Sequence, residues 1–194
     1  MNDARFAKAI AAIDAANAAD PNLLATPSGS RPKELVHAEL MTAWIERLRP
    51  GAPEALLLAA RAQHIRRWES PRTSQPEGRT GYLRWRTELA RFHAATARDI
   101  LREAGYDEEL VARVGTLIRK ELLGRDEDAQ ALEDALCLVF LELQLGEVAG
   151  RMEHEKLVAV LQKTWRKMSP RAQELALELA LPPAERALVA AALA

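Results

Sequence analysis

Apolar residues recur at helical spacing along almost the whole chain, and strand-like alternation is almost absent. The first amphipathic segment carries Phe6, Ile10 and Ile13 on one face and predicts a helix from Asp3 to about Ala19, stopped before Asp20-Pro21. A loop rich in Pro, Ser and Gly then runs to Ser30, which is placed to cap a helix with Pro32 in its first turn. That helix carries Val36, Leu40, Trp44 and Leu48, and Arg49-Pro50-Gly51 breaks it. A third helix is expected from Pro53 to Trp68, followed by a polar loop over 69–79. A long helix over 81–104 ends at Gly105, Asp107 and Asp126 are placed to cap the next two, and Gly124 separates them. The helix after Asp126 is apolar on nearly all sides, the mark of a buried central element. A further helix spans Met152–Met168, Ser169-Pro170 starts another, and Leu181-Pro182-Pro183 divides the last two. The pattern predicts an all-α single domain over 1–194, a bundle of roughly eight helices. Its core would span 30–168, with 1–20 and 170–194 as peripheral packing helices.

Composition narrows the functional classes. One cysteine leaves no disulfide framework, and no apolar run is long enough to span a membrane. The default expectation is a cytoplasmic protein without membrane partners. A formal net charge of -1 argues against general nucleic-acid binding. That near-neutrality is an average. The stretch from Arg61 to His93 holds eight arginines, no lysine and three glutamates, and so is +5 against a remainder of -6. It also holds Trp68, Tyr82, Trp85 and Phe92. Guanidinium groups pair bidentately with phosphate and stack on rings. Arg66, Arg67, Trp68, Arg72, Tyr82, Arg84, Trp85 and Arg86 are therefore candidates for binding a small anionic, phosphorylated or nucleotide ligand, with the 69–79 loop as a lid. Salt bridges to the acids of other helices are the equally weighted structural alternative.

Polar groups on apolar faces are the other candidates. His37 precedes Leu40, Met41 and Trp44; His64 is read on a face with Leu57, Ala60 and Trp68; Asp134 shares a face with Ala131, Leu138 and Leu141; Glu133 neighbours Cys137 and Phe140. A carboxylate there must be paired or ligate a metal. Imidazoles and carboxylates together suit a divalent cation such as Mn, Fe, Zn or Mg, with His37, His64, Asp134 and Glu133 as ligands. Each histidine taken alone is more simply a core residue bonded to a carbonyl.

The order His37, His64 and Asp134, with LLLAARAQHIRRW and ALEDALCLVFLE around the last two, resembles the HD-domain metal-dependent phosphohydrolases. The resemblance implies an HD-like helical bundle, metal ligation by His37, His64 and Asp134, and phosphoester hydrolysis. Position 65 is Ile where the family's dyad has Asp; Glu133, Glu39 or Glu69 would have to supply the missing carboxylate. Lys120 stands where some members have a histidine. The alternative implied by Ile65 is a non-catalytic anion- or nucleotide-binding or interaction module. The segments VHAELMTAWIERL, AARAQHIRRWESPR, GYLRWRTEL, LEDALCLVFLE and KTWRKMS are similar to an uncharacterised family of domain-of-unknown-function proteins found in bacteria and fungi, over residues 3 to 180.

Overall fold

The computed structural model describes residues 3–193; positions 1, 2 and 194 of the expected single domain lie outside the described residues. Among the described residues ten α-helices and one β-hairpin follow one another: α1 (Asp3–Ala18), β1 (Leu23–Thr26), β2 (Gly29–Pro32), α2 (Lys33–Leu48), α3 (Glu54–Ala62), α4 (Gly78–Ala104), α5 (Glu108–Ile118), α6 (Glu127–Val139), α7 (Leu145–Ala149), α8 (His154–Trp165), α9 (Pro170–Leu177) and α10 (Pro183–Leu193). A π-helical turn, Phe140–Gln144, joins α6 to α7. Among the described residues no helix is long and apolar enough to cross a membrane.

Local chemistry sets most helix ends. Asp107, Asp126 and Ser169 each accept a backbone N–H of their own first turn, from Leu110, Ala129 and Ala172. Gly105 closes α4 in the left-handed conformation at φ 91°. The core forms where α2 packs on α3 and α6, α3 on α5, and α4 on α5, with α1 laid against α2, α3 and α4. Met41, Ile45, Leu56, Leu58, Leu101 and Leu138 are fully buried there. At the far end α10 packs on α8.

Three expectations need correction. The Pro-Ser-Gly segment is an antiparallel hairpin, with Leu23 opposite Pro32 and Thr26 opposite Gly29. Ser30 therefore lies in β2 and does not cap α2. The cap comes from outside: the Asp20 carboxylate accepts the Glu34 N–H through Oδ2 at 3.0 Å and the Asn22 N–H through Oδ1 at 2.9 Å. The third helix stops at Ala62 and does not reach Trp68. Beyond it the backbone is captured by neighbours: the Arg66 N–H donates to Asn17 Oδ1 at 3.2 Å, and His93 Nδ1 lies 2.8 Å from the Ile65 carbonyl oxygen. These tertiary bonds take over groups that a continuing helix would need, and Arg66 turns left-handed at φ 52°. The roughly eight expected helices become ten among the described residues; the last two separate as expected, and the division not foreseen is the π turn that splits α6 from α7.

Candidate metal centre

Glu34 and His37 stand one helical turn apart on α2, so their side chains project from the same face. The irregular turn after α3 brings His64 against them. One carboxylate oxygen of Glu34 and one ring nitrogen each of His37 and His64 lie within 4.8 Å of one another. A shared cation with bonds of about 2.0–2.2 Å holds its ligand atoms no more than about 4.4 Å apart, so binding would draw the three slightly together. The rings of His37 and His64 stack with centroids 4.0 Å apart. Glu34 Oε2 is 3.5 Å from His64 Nδ1, and neither atom has a hydrogen-bond partner.

His93 on α4 neighbours the cluster through His64. Its ring centre lies 5.9 Å from that of His64. A carbonyl oxygen only accepts, so Nδ1 carries the proton donated to Ile65, and Nε2 of the neutral ring presents a lone pair. That Nε2 is buried without a partner, as are His37 Nδ1, His64 Nδ1 and Glu34 Oε2. Each such atom costs about 1–3 kcal/mol when left unsatisfied. Glu34, His37 and His64 bring ligand atoms together in one cluster, and a cation there would satisfy them.

The electrostatics keep the donors available. Burial pushes His37 and His64 well below the usual histidine range, aided by His64 on His37 and by the Arg67 charge on His64. Burial likewise carries His93 down to about 4. All three imidazoles are thus neutral near pH 7, the form that ligates metal. Burial raises Glu34, with His37 and Arg67 pulling the other way. His64 is the opening to solvent, its side chain 19% exposed.

Cations border this opening. Arg67 Nε lies 4.0 Å from Glu34 and its guanidinium sits 5.0 Å over the Trp85 ring. Tyr82 is exposed, with its ring centre 6.1 Å from that of Trp85. Arg86 and Lys120 both act electrostatically on His64, and Arg86 forms no ion pair among the described residues. The other candidate arginines point elsewhere. Arg66 pairs with Glu69 and Arg84 with Glu88, while Arg72 donates to the carbonyls of Gln75 and Pro76. Trp68 is half-buried on a short 3-10 turn. The 69–79 loop is held shut rather than free: the Trp85 indole donates to the Ser70 carbonyl, and Gly81 lets the Pro76 carbonyl approach so closely that a Cβ would sit 1.9 Å from its oxygen.

Asp134 and Glu133 do not join the cluster. Asp134 Oδ1 accepts the Ser169 N–H at 2.8 Å and the Gln130 amide at 2.9 Å, fixing the start of α9. Glu133 is held between Lys120 and Lys167. Of the other carboxylates weighed as substitutes, Glu39 forms a two-point pair with Arg31, and Glu69 holds Arg66. The carboxylate that does stand beside the histidines is Glu34, which the sequence reading missed. Its signal was the spacing Glu-x-x-His on one helical face, overlooked because an acid in a first turn is ordinarily read as balancing the helix dipole. Cys137, pushed up to about 12 by burial, is an inert core thiol. His154 is exposed at the start of α8.

Comparison with curated proteins and with solved structures returned no match in either case. Comparison with protein families returned one whose model runs from the first turns of α1 into α10 and so takes in Glu34, His37, His64 and His93 together. With residues 7–189 matched, the chain belongs to the family described as "Domain of unknown function (DUF4202)".

Proposed function

We propose that Glu34, His37 and His64 bind a divalent cation and that the protein is a metal-dependent phosphohydrolase of HD-like type. The observation that carries this reading is the mutual approach of one carboxylate oxygen and two imidazole nitrogens within 4.8 Å. Two neutral imidazoles and a carboxylate suit Zn, Mn or Fe, with Mg a weaker match to nitrogen donors. A cation so held would acidify water and polarise a phosphoryl oxygen. Arg67 and Arg86 would take the phosphate at the mouth beside His64, with the exposed Tyr82 offering a flat face to a base or other ring, while Trp85, buried beneath Arg67, backs the guanidinium. Water adds to phosphorus, the bond from phosphorus to the ester oxygen breaks, and the departing alcohol leaves with a proton. His93 Nε2, buried and without a partner beside His64, would accept a hydrogen bond from water in the site. The order His37 then His64 supports the HD-like assignment, with Glu34 replacing the carboxylate that Ile65 cannot supply.

Ile65 favours one further reading, in which the same pocket binds phosphate without turning it over. Elemental analysis of purified protein, followed by EDTA dialysis and titration with Mn²⁺ or Zn²⁺, tests the centre. One bound cation per chain and a raised melting temperature are expected, both lost in Glu34→Gln and His37→Ala. Absence of any bound cation would overturn the reading. Metal and phosphate binding without hydrolysis of p-nitrophenyl phosphate or of nucleotides would select the non-catalytic form.

A further inference from the structure

Two residues other than glycine have left-handed backbones among the described residues, Arg66 at φ 52° and Lys120 at φ 59°. Both are cations, and they lie on the chain reversals that follow α3 and α5. At Lys120 the hydrogen bonding is that of a helix terminus of the Schellman type. The Glu121 N–H bonds the Thr116 carbonyl at 3.2 Å, and the Lys120 N–H bonds that of Leu117 at 2.9 Å. The residue between them belongs to glycine by preference, and a side chain there costs about 1–2 kcal/mol. Glycine was available to this chain: Gly105 and Gly124 fill comparable turns nearby, at φ 91° and 82°. The lysine therefore occupies its position against backbone preference.

Its side chain is also set apart. The ammonium bonds Glu133, itself only 4% exposed, while 26% of the lysine side chain stays open. The reversal that carries it is tied to the turn of His64, since the Gln63 amide reaches the Ile118 carbonyl at 3.5 Å. Glu133 has a second cation, Lys167, at 3.3 Å, so its charge does not depend on Lys120 alone. With one carboxylate between two lysines, the cluster keeps a net positive charge beside the proposed centre.

We infer that Lys120 is a phosphate-contacting residue of the same site, held on Glu133 until an anion arrives and then shared with it. This rests on the reading of the site as one for phosphate esters. It adds a third cation, beside Arg67 and Arg86, around the phosphate that such a site would hold, since Arg86 also acts electrostatically on Lys120.

The test is calorimetric titration of inorganic phosphate into the full chain, with Mn²⁺ and separately with EDTA. Wild type is compared with Lys120→Met, with Lys120→Gly, which relaxes the left-handed backbone, and with Glu133→Gln. Loss of one charge-assisted hydrogen bond corresponds to about tenfold weaker phosphate binding or more. That loss is expected in both Lys120 variants, with Mn²⁺ affinity unchanged. Glu133→Gln is expected to bind phosphate at least as tightly as wild type, because it frees the ammonium. A purely structural ion pair would make the Lys120 and Glu133 variants fail alike; that result, or unchanged phosphate affinity in Lys120→Met, overturns the inference. If Mn²⁺ does not bind yet wild type takes phosphate in EDTA and Lys120→Met does not, the metal reading falls and Lys120 stands. If wild type takes no phosphate in either condition, both fall.

Discussion

Lowering the pH from 7.5 to 5.0 in EDTA should cost the protein stability through His93, by an amount that follows from its surroundings. In the unfolded chain its imidazole titrates near the ordinary 6.5; in the fold, burial and the Arg67 charge hold it at about 4, against the opposing bond to Ile65. Between those values the unfolded chain binds a proton that the folded one refuses. The contribution is therefore fully present above about 6.5 and drains away as pH falls toward 4. Linkage over this range gives a loss of about 2 kcal/mol at pH 5.0 from His93 alone. His37 and His64, also lowered, add with the same sign. Glu34, raised by burial, works against them, since its folded form takes up a proton first. Subtraction isolates the term. Urea unfolding of wild type and of His93→Gln, whose amide can still donate to the Ile65 carbonyl, is measured at several pH values. The wild-type curve should fall more steeply below pH 6.5, with the two diverging by about 2 kcal/mol at pH 5.0. Parallel curves would refute the argument, because they would mean that His93 is as easily protonated in the fold as outside it.

Gly81→Ala sets two effects of opposite sign against each other. Helix propensity alone would gain about 1 kcal/mol, but the new methyl would lie 1.9 Å from the Pro76 oxygen, an overpacking that costs about 1–3 kcal/mol or more. A net fall in melting temperature with faster tryptic cleavage within 69–79 is expected, and a rise would show that the loop does not seat on α4 as described. Asp134→Ala should cost about 2–3 kcal/mol, from the loss of the Ser169 and Gln130 hydrogen bonds, and leave Mn²⁺ affinity untouched. Weakened metal binding at unchanged stability would restore Asp134 to the ligand set.

Helix boundaries governed by local chemistry could be read in the sequence. Asp107, Asp126, Ser169 and Gly105 act on groups within a few residues, so identity and position were enough. The hairpin could not be read this way, because Gly-Ser-Arg-Pro has no alternation and becomes a strand only by pairing with Leu23–Thr26. The end of α3 was hidden for a related reason, since Asn17 and His93 reach it from other helices. The site divides along the same line. His37 and His64 announced themselves as polar groups on apolar faces. That same pattern told only that Asp134 was buried, and its partner, the peptide N–H of Ser169, carries no side-chain signature at all. Glu34 has no mark in the sequence beyond its spacing from His37, and what brings His64 against the pair is the irregular turn after α3, set by residues of other helices.

The π turn between α6 and α7 bears on how this chain tolerates insertion and deletion. Such a turn holds one residue more than the α-helix around it, and each residue of an α-helix advances about 100° around the axis. Everything beyond Gln144 is therefore rotated by that amount relative to an uninterrupted rod. Beyond the turn Leu145 is fully buried, and within it Glu142 accepts the indole N–H of Trp44 at 2.8 Å. Removing one residue from 140–144 would heal the helix locally and, in doing so, swing α7 out of phase with α8 and α10, which pack against it. Here the regular helix is the damaging outcome, and the irregular turn keeps the two ends of the molecule in step.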